Sequence, residues 1–284
     1  MSQEYDRSSK WLIEHHGAAL LRLAGVNDVV SCRTMQAEIV APLQMPDALL
    51  EVRLASRSRP TLFLVEIGTY PERRLSEQVL RDVLLVVLDR RVVPEVVSLL
   101  LAPKGVFRVP GQSTLTSELG WTGLQVHWKV VELWNMAAEP VLPLPDVGLL
   151  PWIPLMHHDI PTEQLLREVR QRIDRQASGD EHANLLAVTQ ILMRLRYDEP
   201  RYFAIFGGAQ AMIESPLVQE ISAKSRCEGM QKAILRMLQT RFGALPEGVA
   251  VGIQAVNDES MLERLVEEAV KSIDLEAFMV HVPF

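Results

Sequence analysis

The chain has 284 residues, 48% of them hydrophobic and 23% charged, a balance that excludes a disordered protein and indicates a folded one with a large core. Its formal net charge of -7 argues against nucleic-acid binding by bulk electrostatic attraction, because phosphate binding needs clustered lysine and arginine. No apolar run approaches the roughly 20 residues that span a bilayer, so we expect a cytoplasmic protein with no membrane partner. The two cysteines, Cys32 and Cys227, are far apart and indicate neither a disulfide framework nor a thiolate zinc site.

The first third of the chain predicts a helix followed by strands. Residues 9–23 have helical periodicity, and residues 28–40 alternate weakly and predict a strand. Residues 48–54 alternate more clearly between apolar and polar positions, and the polar run 56–60 is typical of a turn. Residues 61–67 are apolar up to Glu66, which is typical of a central strand covered on both faces.

The following segments extend this pattern. Residues 72–89 predict a helix that becomes apolar nearly all round towards its end, so we expect it to be buried against the sheet. Residues 95–101 and 124–134 predict two further strands. The order of elements therefore indicates an α/β domain, in which a mixed central sheet is flanked by helices.

The second half of the chain looks helical. Residues 141–161 are rich in proline, which disfavours both a long helix and a central strand, so we place a linker there. This divides the chain into an α/β domain at 1–140, the linker, and an all-α region at 162–284. The helices predicted in that last region cover residues 162–176, 181–196, 225–242 and 259–272, with Asp258 as an N-cap of the last.

Two acidic residues stand out at the strand boundaries. Asp47 follows Pro46 at the start of one predicted strand, and Glu66 ends the next. This spacing can bring two carboxylates together at a sheet edge, where Mg²⁺ binds through oxygen. Each acid also has an ordinary explanation: Asp after Pro is common turn chemistry, and Glu66 can form a structural ion pair with Arg53 or Arg73.

These residues and their surroundings resemble the PD-(D/E)XK nuclease superfamily, and within it the recombination-promoting nuclease or transposase-like group. The resemblance covers roughly the first half of the chain, and a helical tail like that of residues 228–246 often follows this domain. The residues that carry it are Pro46-Asp47, Leu64-Val65-Glu66-Ile67-Gly68-Thr69-Tyr70-Pro71, Gln78 and Val93-Pro94-Glu95-Val96-Val97. The resemblance implies a restriction-endonuclease-like core and metal-dependent cleavage of DNA.

Carried over residue by residue, the resemblance makes Asp47 and Glu66 ligands of Mg²⁺ or Mn²⁺, with the carbonyl of Ile67 as a third. The family has a lysine or glutamine at the position of Gly68, which orients or activates water. Gln78 and Arg74, one helical turn apart, are the nearest substitutes. Arginine is a poor general base because it keeps its proton, although it can stabilise charge on a phosphate.

Gly68 and the acidic net charge also favour an alternative, an inactive nuclease-fold protein that binds DNA or a protein partner. If the protein is active, DNA is its expected partner. The cationic residues that would contact it lie mainly on the helix at 72–89 and just after it: Arg73, Arg74, Arg81, Arg90 and Arg91. A solvated helix face explains the same residues equally well. The helical region at 162–284 can form a homo-oligomer contact or simply its own bundle core.

Overall fold

The computed structural model describes residues 2–35, 46–117 and 122–282. The chain divides into two compact units, Met1–Met212 and Ile213–Phe284. The boundary between the units therefore falls after residue 212, much later than the linker at residues 141–161 that the prolines predict. The first unit contains a mixed sheet flanked by helices, and the second is helical. None of the helices within the described ranges combines the length and hydrophobicity needed to span a bilayer.

The central sheet has five strands, β1 (Val29–Met35), β2 (Ala48–Leu54), β3 (Thr61–Gly68), β4 (Glu95–Leu100) and β7 (Lys129–Glu132), in that spatial order. The first three form an antiparallel meander, while β4 runs parallel to both β3 and β7. The predicted strand at 28–40 is thus observed at Val29–Met35, and residues 36–40 lie outside the described part of the chain. The mixed sheet agrees with the predicted α/β class.

Helices cover both faces of this sheet, which explains why β3 is apolar on both sides. Helix α1 (Ser2–Leu23) contacts β1 and β2, and α2 (Arg73–Arg90) packs on the opposite face. Alternate residues of a strand share a face, so one set of positions points at α2. The core under α2 includes Leu49, Leu64, Val96 and Leu100 from the strands and Leu75, Val79, Val83 and Val86 from the helix.

The run at 124–134, predicted as one strand, is divided between two sheets. Strands β5 (Gln112–Thr116) and β6 (Gly123–His127) form a separate antiparallel pair, whereas β7 joins the central sheet. The break lies at Trp128, whose backbone N–H donates to the carbonyl of Gly111 at 2.9 Å and whose ring is buried in the core under α2. Apolar character alone could not locate this break, because it continues through both strands.

The proline-rich segment is part of the core of the first unit. Residues Val147–Leu155 form a 3₁₀ helix in which all residues from Gly148 onward are buried. This segment contacts α1 and two further helices, α3 (Thr162–Gln176) and α4 (Gly179–Met193). Prolines do exclude a long α-helix here, as expected, but they permit this tighter conformation. The segment is therefore buried by helices rather than exposed as a linker.

Helices complete both units. In the first unit, α4 is buried at every position from Asn184 to Met193, and α5 (Pro200–Ile205) follows it. The next helix, α6 (Gly208–Glu214), contains the boundary between the units. The second unit contains α7 (Pro216–Phe242), α8 (Glu247–Ala255), α9 (Glu259–Lys271) and α10 (Leu275–Met279), packed around an apolar core. Asp258 caps α9 as predicted, because its carboxylate accepts a hydrogen bond from the Met261 N–H.

Candidate functional site

The hairpin formed by β2 and β3 brings Asp47 and Glu66 to the same end of the sheet. Ala48 pairs with Val65, so the next position along each strand places Asp47 opposite Glu66. The Asp47 Oδ2 atom accepts a hydrogen bond from the Ile67 N–H at 2.8 Å. Turn chemistry alone therefore does not account for Asp47, because its side chain connects the start of β2 to β3 by a hydrogen bond. The two predicted acids are neighbours in space.

Asp47 lies in a cleft of about 480 Å³ at this end of the sheet. The cleft is also lined by Ile67, Gly68, Arg74 and Gln78, so three further residues predicted from the sequence, Ile67, Arg74 and Gln78, share it with Asp47. Glu66 lies behind the cleft wall rather than on it. The carbonyl of Gly68 points to β4, where it accepts from Leu101. Because successive carbonyls of a strand alternate in direction, the Ile67 carbonyl points to the side of β3 that carries Asp47.

Lys10 of α1 is the cation that sequence reasoning missed. Its Nζ lies 3.1 Å from Asp47 Oδ1 and 3.1 Å from Asp6 Oδ2. Burial lowers the pKa of Lys10, but the charges of Asp47 and Asp6 outweigh this effect and raise the pKa above its ordinary value. Lys10 therefore remains protonated at neutral pH. The sequence offers only a weak signal for it, a lysine four residues after an aspartate near the start of a helix.

The environment of Asp47 opposes full ionisation. Burial raises the pKa of the Asp47 carboxyl, and the nearby Lys10 charge and the Ile67 hydrogen bond reduce that effect without cancelling it. The ion pair with Lys10 would by itself lower the pKa, so the upward direction shows that burial dominates. A ligand cation that came to Asp47 would favour its ionised form.

Glu66 is far more buried, with 2% of its surface exposed. Its pKa is raised to about 10, first by burial, then by the negative charge of Asp47 and by a hydrogen bond with the carboxyl of Asp82. The Oε1 atom of Glu66 has no hydrogen-bond partner among the described residues. A buried polar atom without a partner is costly, so this atom is suited to accept a proton or a cation.

Asp82 and Ser98 surround Glu66 with further buried polar groups. Asp82, on α2, is 1% exposed and accepts two hydrogen bonds from the guanidinium of Arg81, at 2.8 and 3.3 Å. Ser98 lies opposite Glu66 in the β3–β4 register, and its Oγ has no partner among the described residues. We call Glu66, Asp82 and Ser98 the polar pocket. The structure thus brings Asp82, rather than Arg53 or Arg73, to Glu66.

Sequence reasoning missed the contribution of Asp82. The available signal was the charged pair Arg81-Asp82 between apolar residues on both sides. A buried aspartate there is expected to be paired, and Arg81 beside it is the partner found.

Packing explains why glycine occupies position 68. A Cβ atom added there would lie 2.8 Å from Leu100 Cδ2, 3.2 Å from the Tyr70 carbonyl oxygen and 3.3 Å from Leu75 Cδ2. Real Cβ atoms essentially never approach another atom to less than 3.0 Å, so any side chain here requires the Leu100 side chain to move. The position that carries lysine or glutamine in the resembling family is therefore closely packed by leucine side chains, although it lines the cleft.

The two predicted substitutes on α2 differ in their surroundings. Gln78 is half-buried in the cleft wall. Arg74 is 76% exposed and donates to Glu72 Oε2 at 2.6 Å. Of the charged groups that the structure places near Asp47, Lys10 is in direct contact with it. Both predicted residues line the cleft, but Lys10 is better placed to act on the same ligand as Asp47.

The arginines of α2 do not form one open cationic surface. Arg74, Arg81 and Arg90 each pair with an acidic residue next to them or two positions away. Arg73 lies over the ring of Phe107, with its guanidinium carbon 6.0 Å from the ring centroid. Arg91 terminates α2 in a left-handed conformation. This distribution favours a solvated helix face over an extended phosphate-binding surface.

The available donors fit Mg²⁺ better than a softer metal. Asp47, Glu66 and the Ile67 carbonyl supply only oxygen, and Mg²⁺ commonly takes one or two carboxylates and keeps several waters. No group of three or more His, Cys, Asp or Glu side chains suited to a metal ion occurs in the ranges 2–35, 46–117 and 122–282. A cation here would therefore depend on two carboxylates, the carbonyl and water.

Comparisons of the chain with protein-family models, curated proteins and solved structures found no match. The geometry of the cleft is therefore the basis for a functional proposal.

Proposed function

We propose that the protein is a Mg²⁺- or Mn²⁺-dependent DNA endonuclease with its site at Asp47 and Glu66, as its resemblance to PD-(D/E)XK nucleases implies. The observation that carries this proposal is the position of the two acids. They lie opposite each other at the strand ends, one in the cleft and one with a buried oxygen that has no hydrogen-bond partner in the part of the chain that the structure describes. Such an oxygen is costly unless a proton or a cation reaches it.

In this proposal Asp47 and Glu66 hold the cation, with the Ile67 carbonyl beside them. When bound, a divalent cation lowers the pKa of water and neutralises charge on a phosphoryl group. Glu66 must first release its proton, because its pKa of about 10 keeps the carboxyl neutral at pH 7. The ion pair with Lys10 and the hydrogen bond from the Ile67 N–H hold Asp47 in the cleft.

Lys10 takes the role that glycine at position 68 cannot supply. Its raised pKa excludes it as a general base at neutral pH, since it has no free lone pair there. As an ammonium group, it can orient water by donating hydrogen bonds and can stabilise negative charge that develops on the phosphate. Gln78 can orient a phosphate or water from the opposite cleft wall, and Arg74 can add positive charge at its rim.

The experiment is nicking of supercoiled plasmid by purified protein with Mg²⁺ or Mn²⁺. We expect Asp47→Asn and Glu66→Gln to abolish nicking, because each removes an anionic ligand with little change in shape. Glu51→Gln is the matched control, since Glu51 is an acid on β2 that pairs with Arg33 at 2.8 Å outside the cleft. Equal nicking by all four proteins would reveal a contaminating nuclease and contradict the proposal.

A second candidate function has its own supporting observation. Both acids already have partners in the absence of a divalent metal cation: Lys10 neutralises Asp47, and Glu66 shares a hydrogen bond with Asp82. This arrangement suits an inactive nuclease-fold protein that binds DNA or a protein. Thermal unfolding separates the two candidates, because a cation that binds only the folded state raises Tm by mass action. A Tm that does not change with Mg²⁺ or Mn²⁺, together with no nicking, would favour the inactive protein.

A further inference from the structure

The loops that follow β3 and β4 leave the sheet together at the cleft. The Leu101 N–H donates to the Gly68 carbonyl, and the Ala102 N–H donates to the Thr69 carbonyl, both at 3.0 Å. Since β3 and β4 are parallel, these loops start at the same end of the sheet, where both strands finish. They bring two further side chains, Tyr70 and Lys104, to the cleft wall.

Tyr70 and Lys104 form an aromatic and cationic pair. The Lys104 Nζ lies 4.6 Å from the centroid of the Tyr70 ring. Tyr70 is half-buried, whereas Lys104 is exposed to solvent. A cation–π contact at an exposed site is weak, so the ammonium can leave the ring for a phosphate oxygen. The ring face would then be available to a planar group such as a nucleobase.

The size and charge of the cleft favour a single strand over a duplex. Its volume of about 480 Å³ suits one small ligand, or one nucleotide at a time. Its wall carries the cations Arg74 and Lys104 together with the acids Asp6, Asp47 and Glu72, and Lys10 lies beside Asp47. Duplex binding depends on many phosphate contacts, which this acidic protein is poorly equipped to make. Unpaired strands are bound through fewer phosphates because their bases also stack on aromatic rings.

We propose that the cleft binds an unpaired DNA strand, with one base stacked on Tyr70 and the adjoining phosphate held by Lys104. This inference rests on the proposed function, because it names the substrate class of the same cleft. It places the strand beside Asp47, where its backbone can reach the acids. An aromatic platform next to the acids also explains why a protein with a net charge of -7 could still bind nucleic acid locally.

The test measures binding in a chelator, so that cleavage cannot contribute. Fluorescence anisotropy would compare a labelled single-stranded DNA of about 12 nucleotides with the duplex of the same sequence. We expect tighter binding of the single strand. Tyr70→Leu should weaken that binding about tenfold or more, while Tyr70→Phe should retain it because the ring remains. Circular dichroism would confirm that each variant is folded.

Lys104→Gln provides a second measurement that does not depend on the buried part of Tyr70. Loss of one phosphate contact should make the slope of log K against log salt shallower by about 0.7 for a single strand. Lys129→Gln, a change on the edge strand β7 outside the cleft, should leave that slope unchanged.

Equal affinity for single strand and duplex, or unchanged binding by Tyr70→Leu and Lys104→Gln, would overturn this inference. Its failure is distinguishable from failure of the proposed function. A protein that nicks plasmid but binds DNA without Tyr70 loses only the substrate assignment. A protein that needs Tyr70 for binding but never cleaves DNA loses only the nuclease activity.

Discussion

The two acids of the site belong to regions of opposite character. In the polar pocket, Glu66 and Asp82 are almost completely buried between the sheet and α2, and the proton held by Glu66 limits the negative charge there. In the cleft, Asp47 is partly exposed and is balanced by the ammonium of Lys10. This difference implies that the polar pocket sets the protonation of Glu66 and its effect on stability, whereas the cleft sets the charge that a ligand contacts. Substitutions should separate these two roles.

A bound cation would link the two regions. Glu66 must lose its proton before it can act as a carboxylate ligand, so metal binding at this site is coupled to proton release. Cation affinity should therefore increase with pH over the range in which Glu66 is otherwise protonated. The buried region supplies this pH dependence, and the open region admits the ligand.

The largest effect is expected from Gly68→Lys, which adds a long charged side chain at the wall of the cleft. The new Cβ would collide with Leu100 and lie close to Leu75. Overpacking of this kind typically costs about 1–3 kcal/mol, so we expect the free energy of unfolding in urea to fall by an amount in this range.

Gly123→Lys is the matched control for this substitution. Gly123 begins β6, is exposed, and would bring its Cβ no closer than 3.6 Å to the Leu115 carbonyl oxygen. We expect it to change stability by less than about 0.5 kcal/mol. If Gly68→Lys were as stable as Gly123→Lys, packing could not be the reason for glycine at position 68.

The next largest effect concerns Lys10 in the open region. Lys10→Ala should reduce the rate of plasmid nicking by about 100-fold, a loss typical of one catalytic hydrogen-bond donor. It should change the free energy of unfolding by less than about 1 kcal/mol, because partly exposed ion pairs contribute little. Lys129→Ala on β7 is the control. Normal nicking by Lys10→Ala would show that Lys10 does not replace the residue missing at position 68.

Much of the sheet could be predicted from the sequence because alternation and continuous apolar runs report burial directly. The strand at Ala48–Leu54 has the predicted bounds, and β3 extends only one residue beyond its prediction. The break at Trp128 between the two sheets could not be predicted, since it depends on which sheet each half of an apolar run joins. Burial of Val147–Leu155 could not be predicted either, because prolines exclude a long helix but do not indicate whether a segment is exposed or buried.

The candidate site was only partly predictable. Asp47 and Glu66 were identifiable because each lies at or near a strand end, whereas Gln78 was proposed only through the family resemblance. Lys10 and Asp82 reach the site from two helices on opposite faces of the sheet, and one sequence contains no pairing information for such contacts. Their roles follow from tertiary packing alone.

A smaller effect per pH unit is expected from the pH dependence of stability. The unfolded Glu66 carboxyl ionises near its ordinary pKa of 4.5, whereas the folded one retains its proton up to about pH 10. Between these values the folded state binds more protons, so this group makes stability fall as pH rises. The slope from one such proton is at most about 1.4 kcal/mol per pH unit.

Glu66→Gln tests this prediction because the amide resembles the protonated carboxyl in shape and stays neutral. The variant should be more stable than the wild type at pH 8, and the difference should shrink towards pH 5. Urea unfolding at several pH values in a metal-free buffer would measure it. A constant difference across this range would mean that Glu66 is ionised in the folded protein, and that its burial is relieved by another partner.

The smallest effects should come from the two α2 residues on the rim of the cleft. Arg74 is largely exposed and already bonded to Glu72, and Gln78 carries no charge. Arg74→Ala and Gln78→Ala should therefore each lower plasmid nicking by less than about tenfold, well below the loss expected for Lys10→Ala. Single-turnover nicking by the three variants under identical conditions provides the comparison. A loss of about 100-fold in Gln78→Ala with little loss in Lys10→Ala would assign the missing role to α2, because the contact between Lys10 and Asp47 would then be structural.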